Sequence, residues 1–97
     1  MTTTSQIAQA LATYQSKFFD AHMDYTQDDR VHISASHTEQ PFYVIDILDV
    51  IDDNIVVDFK FCDPTGYIVN STTEHMPSIQ KIVQNIESDI RHSFGIY

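Results

Sequence analysis

The chain has 97 residues, 42% apolar and 20% charged, with two glycines and three prolines. That length allows one domain, spanning 1–97, and the composition excludes wholesale disorder and fibrous repeats. Five Lys and Arg against fourteen Asp and Glu give a net charge of −9, which excludes a basic nucleic-acid binder, because nothing here neutralises a row of phosphates.

Residues 4–19 are predicted as a helix. Ile7, Leu11, Tyr14 and Phe18 fall at i, i+4, i+7 and i+11, one face of a 3.6-residue period. Ala8, Ala10 and Ala12 add helix propensity, and Thr3 with Gln6 matches a capping box. Residues 20–29 lose that period and read as a helix end followed by an acidic loop. Residues 30–36 alternate, with Val31, Ile33 and Ala35 on one side, and predict a half-buried strand. Residues 37–40 read as a polar turn before Pro41.

Residues 42–51 and 55–62 are rich in β-formers. Asp52-Asp53-Asn54 between them suggests a three-residue hairpin loop with Asn54 at positive φ. That loop pairs 51 with 55, 49 with 57, 47 with 59 and 45 with 61. It keeps Ile45 and Ile47 on the face of Phe59 and Phe61, sets Asp46 opposite Lys60 with Asp58 diagonal to it, and puts Asp49 on the core side. Asp63-Pro64-Thr65-Gly66 reads as a β-turn, followed by a short strand at 67–71. Pro77 fits the first turn of a last helix. Its apolar face is Ile79, Ile82, Val83, Ile86, Ile90 and Phe94, and Gly95 ends it. The expected fold is therefore α+β: an antiparallel meander of three to four strands with an N-terminal and a C-terminal helix on one face, in the order α-β-β-β-β-α.

Candidates for chemistry are weak. Cys62 stands alone, which excludes an internal disulfide or a cysteine-clustered zinc site, and neighbouring Asp63 raises rather than lowers its thiol pKa. His22, His32, His37, His75 and His92 are scattered singly, with no helical i, i+4 pair. The acidic stretch 20–29 has no glycine for a calcium loop. There is no nucleophile elbow and no glycine-rich phosphate loop. The expectation is no catalytic residue, no metal, no cofactor and no small-molecule substrate. No stretch approaches the roughly 20 apolar residues of a membrane span, and the opening residues do not resemble a signal peptide.

The acidic surface remains. Between 20 and 63 stand eleven acids against Arg30 and Lys60, so this stretch holds the entire net charge. Strand positions i and i+2 lie about 6.7 Å apart and neighbouring strands about 4.8 Å apart, comparable to a duplex phosphate every 3.4 Å or so along each strand. Asp24, Asp28, Asp29, Glu39, Asp46, Asp52, Asp53, Asp58 and Asp63 are the candidate binding groups. A protein whose lysines and arginines grip phosphates would meet in them a DNA mimic, and electrostatic steering would speed its capture.

The stretch DILDVIDDNIVVDFKFCD from Asp46 to Asp63, with the length and the acidic middle, resembles the small type I-F anti-CRISPR proteins of phages and prophages. The resemblance extends over the whole chain and rests on overall likeness, since these families share no short motif. It implies a DNA mimic that binds the crRNA-guided type I-F surveillance (Csy) complex in the host cytoplasm. Binding is implied at the large subunit and the adjacent backbone subunit, where target DNA enters beside the PAM, blocking recognition without catalysis. Two other readings stand beside it. One is an acidic inhibitor of another DNA-binding protein or nuclease. The other is an α+β interaction module whose charge serves solubility and whose binding depends on exposed Tyr25, Phe42 or Tyr97.

Overall fold

The computed structural model describes residues 3–36 and 40–95. In chain order the elements are α1 (Thr4–Ala12), β1 (Phe19–Met23), β2 (Arg30–Ala35), β3 (Pro41–Ile51), β4 (Asn54–Cys62), β5 (Ile68–Met76) and α2 (Ile79–Phe94). The strands form one antiparallel sheet in the order β1-β2-β3-β4-β5. The α+β fold with terminal helices is as expected, with five strands instead of three or four. The turn expected at 37–40 falls largely on residues 37–39, outside the described residues, as do Glu39, His37 and Tyr97.

The extra strand replaces the second half of the expected N-terminal helix. The capping box does open α1: Thr3 Oγ1 accepts from the Gln6 amide (3.2 Å) and Gln6 Oε1 accepts from the Thr3 amide (2.9 Å). But α1 stops at Ala12. The Thr13 hydroxyl donates to the Gln9 and Ala10 carbonyls, satisfying acceptors that the last turn leaves open. Ser16 Oγ then accepts from the Phe18 amide and donates to Glu87 of α2. Beyond it the buried period becomes two: Phe19 is fully buried, while Ala21 and Met23 pack against the core. Tyr14 is exposed, and the cations of Lys17 and Arg91 each lie over the Phe18 ring, 5.3 and 5.4 Å from its centroid.

The central hairpin differs from expectation in detail but not in the parity of its core face. Its loop has two residues, not three. Ile51 pairs with Asn54, and Asp52 and Asp53, rather than Asn54, take positive φ (49° and 66°). Ile45 pairs with Phe59 and Ile47 with Val57, so the apolar residues share one face. Asp46 faces Asp58 instead of Lys60. A register shift between Ile47 and Asp49 makes Leu48 an extra residue and reverses the alternation. Asp49 is therefore exposed rather than on the core side, and Val50 packs against the core.

The Asp63–Gly66 turn forms as expected, closed by the Gly66 amide to the Asp63 carbonyl at 2.9 Å. β5, however, runs nine residues to Met76, because its polar Asn-Ser-Thr-Thr stretch pairs along β4. Pro77 precedes the helix instead of joining its first turn. Ser78 is the N-cap, accepting from the Lys81 amide, and Gly95 closes α2 in the left-handed region (φ 67°). Both helices lie on one face and share one core with the sheet, including Ile7, Leu11, Ile45, Val57, Ile82 and Ile86. Phe42, expected among the exposed aromatics, is buried in this core against Tyr43, Phe61 and Phe94.

Ile86, fully buried between α2 and the sheet, tests this packing. Ile86→Ala should lower unfolding free energy by about 3 kcal/mol in urea titration, whereas Val69→Thr on the exposed start of β5 should change it by less than about 0.5 kcal/mol.

Candidate functional site

A meander returns to the same end at every second turn. The β1–β2 loop (24–29) and the β3–β4 turn (52–53) therefore share one end of the sheet, and the Asp63–Gly66 turn lies at the other. A hydrogen bond from the Ile47 amide to the Asp29 carbonyl (2.9 Å) ties the loop to β3 at the point where β2 stops. This end carries Asp24, Asp28, Asp29, Asp52 and Asp53, together with Asp49, expected on the core side but exposed.

Asp24 organises its loop. Its Oδ1 accepts from the Thr26 amide and hydroxyl (both 2.8 Å) and from the Gln27 amide (3.1 Å), and its Oδ2 meets His32 Nε2 at 2.7 Å. The His32 contact first, then the Thr26 amide, holds its carboxyl far below the ordinary carboxylate range. His32 in turn stacks on His22, with ring centroids 5.2 Å apart. These two histidines are thus neighbours instead of scattered, a pairing hidden in the sequence because β1 was read as a helix end. Among the described residues no group of three or more His, Cys, Asp or Glu is placed to hold a metal.

Asp28, Asp52 and Asp53 are exposed, and among the described residues no hydrogen bond or ion pair reaches their carboxylates, the Asn54 side-chain amide donating instead to the Asp52 backbone carbonyl at 3.4 Å. Between the acids stand exposed apolar side chains: Tyr25, wholly exposed, and Leu48 and Ile51, both about half exposed. Leu48 faces outward, as alternation from buried Ile47 sets it, and the bulge, which no sequence signal marks, turns Asp49 outward as well. The Asp52-Asp53 turn places two non-glycine residues in the left-handed region, where two-residue hairpins favour Asn-Gly. Asp tolerates that region better than most residues, but at some cost.

The remaining candidates lie elsewhere. Asp46 and Asp58 sit mid-sheet on the face away from the helices. Asp46 is buried and bridges strands: Arg30 donates to both its oxygens (2.7 and 3.1 Å) and Lys60 Nζ lies 3.0 Å away. Burial alone would raise the Asp46 carboxyl, but Arg30 and Lys60 outweigh it and hold it low. Lys60 also pairs with Asp58. These two acids and two bases form a row across β2, β3 and β4. Asp63, at the opposite end, is engaged in its own turn, accepting from the Thr65 hydroxyl and the Thr65 and Tyr67 amides. The Thr65 hydroxyl is the main cause of its lowered pKa. Cys62 is buried, and burial first, then Asp63, pushes its thiol up, away from nucleophilic chemistry. The structure thus brings five of the nine sequence candidates together, separates Asp46, Asp58 and Asp63 from them, and leaves Glu39 outside the described residues.

Among the described residues no helix is long and apolar enough to cross a membrane. No protein-family model, curated protein or solved structure matches the chain.

Two measurements probe this arrangement. Replacing the turn by Asp52→Asn with Asp53→Gly should stabilise the fold by about 1 kcal/mol, raising the thermal midpoint by roughly 4–8 °C. On acidification, Asp24, Asp46 and Asp63 have folded pKa values below their unfolded ones. Their stabilisation is complete above the unfolded value of about 4 and is lost as pH falls through the folded values. Melts should therefore weaken from about pH 4 downward. Asp46→Asn should lower stability at pH 7 by about 2 kcal/mol and flatten that acid slope.

Proposed function

We propose that this protein is a non-enzymatic, phage-encoded inhibitor that mimics DNA and blocks target-DNA binding by the type I-F crRNA-guided surveillance complex in the bacterial cytoplasm. The observation that supports this reading is the acidic end of the sheet. Two loops at that end carry five carboxylates and the last part of β3 a sixth. Among the described residues their one ion-pair contact is His32 at Asp24, if that ring is protonated, with Arg30 near enough to feel Asp24 and Asp29. Such a surface offers a basic DNA-binding groove its own counter-charge on a rigid sheet, without the conformational freedom of a flexible acidic tail. Tyr25, Leu48 and Ile51 add apolar contact between the charges, as a protein interface needs and a solubilising surface does not. The partner groups on this reading are lysines and arginines of the large subunit and adjacent backbone subunit beside the PAM. Asp46 and Asp58, neutralised within the chain, are supports of the surface on this reading and not its contacts.

The test is a competition assay with purified surveillance complex and labelled target DNA at low and high salt. The protein should displace DNA at near-stoichiometric amounts in low salt and lose affinity as salt screens the surface. Neutralising Asp28, Asp29, Asp52 and Asp53 together to Asn should weaken it at least about tenfold, or about 1.4 kcal/mol, with native circular dichroism. Displacement that survives the substitutions would remove the acidic end from the mechanism. An affinity indifferent to salt would favour an apolar interaction module built on Tyr25, Leu48 and Ile51. Failure to bind this complex, with salt-sensitive displacement of DNA from another nuclease or DNA-binding protein, would favour that alternative target.

A further inference from the structure

The last strand of the sheet leaves an edge open. Among the described residues β5 pairs with β4 alone, and Ile68 through Thr73 are all exposed. Natural sheet edges are blunted by lysine, proline or inward charge. Ile68–Met76 contains no lysine and no proline, and its one acidic residue is Glu74, on the helix side near the end of the strand. Its threonines, isoleucine and valine are instead strong β-formers.

On the helix side of this edge a cleft of about 590 Å³ separates β5 from α2. Rings of Tyr43, Phe59 and Phe61 line it beside Val69, and Glu74 from β5 and Asp89 from α2 bring two carboxylates to it. The Tyr43 hydroxyl donates to Asp89, and Asn85 Nδ2 lies 3.5 Å from the same carboxylate oxygen, so Asp89 is oriented by its neighbours. Burial, and then Asp89, push the Tyr43 phenol up, which keeps that donor protonated. Lys81 lines the adjoining depression, beyond Glu74.

We propose that β5 accepts an extended segment of a protein partner as a sixth strand, with an arginine of that segment laid into the cleft between β5 and α2 against Asp89 and Glu74. Strand addition satisfies the bare backbone edge, and alternate side chains of the added strand point to the helix side, where the cleft lies. Arginine fits better than lysine, because its planar guanidinium stacks on aromatic rings and takes a carboxylate in bidentate fashion. A second copy fits worse. Its β5 would bring another Glu74 toward Glu74 and Asp89, between two chains each carrying −9. This surface uses none of the carboxylates at the acidic end, so it stands or falls separately from the proposed function.

The test titrates isotopically labelled full chain with a peptide of alternating threonine and valine around one arginine, and with the same peptide carrying neutral citrulline instead. Amide shifts should map to Ile68–Met76 and to Asn85–Asp89. The arginine peptide should bind at least about tenfold tighter than the citrulline peptide. Glu74→Gln, which leaves the Tyr43 contact intact, and Asp89→Asn should each shrink that preference while leaving citrulline binding unchanged. The proposal is overturned by equal binding of the two peptides, by no binding, or by shifts confined to Asp24–Asp29 and Asp52–Asp53. It is also overturned if sedimentation shows a dimer whose interface, by amide protection, is β5 against β5.

Discussion

One carboxylate in the central strand sets the electrostatics of the whole chain. Asp46 is the buried charged residue of the described structure, and Arg30 from β2 and Lys60 from β4 close on it. A buried charge is tolerated only when paired and hydrogen-bonded, so Asp46 draws in both neighbours and fixes the lateral order of three strands. Those neighbours are also the only lysine and arginine between residues 20 and 63. Arg30 also feels Asp24 and Asp29 of the adjoining loop, but with both cations held by Asp46 no lysine or arginine of that stretch pairs with Asp28, Asp52 or Asp53 among the described residues. The same interaction that ties the sheet together leaves Asp28, Asp52 and Asp53 at its end without an ion-pair partner among the described residues.

Legibility of the fold tracks the strength of the local period. α2 was readable because six apolar residues over sixteen positions fit one helical face and Gly95 ends it, although Ser78 is its N-cap and Pro77 is not in its first turn. The core face of β3 and β4 was readable because a two-residue error in register preserves alternation. β1 was not, because Tyr14 and Phe18 extend the helical spacing of Ile7 and Leu11 by coincidence. The actual break rests on hydroxyl contacts of Thr13 and Ser16, for which the sequence carries no glycine or proline signal. β5 was shortened for the opposite reason. A polar edge strand has little to bury, so it shows no alternation even though its backbone pairs fully with β4.

The site was legible in composition and not in arrangement. A charge count locates the acids between 20 and 63, but only the meander decides that the 24–29 loop and the 52–53 turn lie at one end of the sheet and Asp63 at the other. The bulge at Leu48 then moves Asp49 from the core side to the surface. No local preference at Ile47-Leu48-Asp49 announces this, because bulges are set by the fit of the two strands and the turn beyond them. A turn built on Asp-Asp, where Asn-Gly relaxes the backbone, needs two residues rather than three, and that shorter loop sets the register up to the bulge.

The contrast among the acids says which of them the fold itself requires. Asp46 bridges three strands, Asp63 builds a turn, and Asp24 holds its loop and a histidine. Asp28, Asp52 and Asp53 do nothing comparable, and at Asp52 and Asp53 the chain carries both mutual repulsion and unfavourable φ. Sequences that keep a costly local choice with no compensating contact inside the molecule tend to do so where something outside it is bound. Solubility alone would be served as well by carboxylates dispersed over α1, α2 and the outer sheet face, where they would repel one another less. Concentration at one end, on strained backbone and beside exposed Tyr25 and Leu48, is the geometry that the proposed cationic partner would relieve.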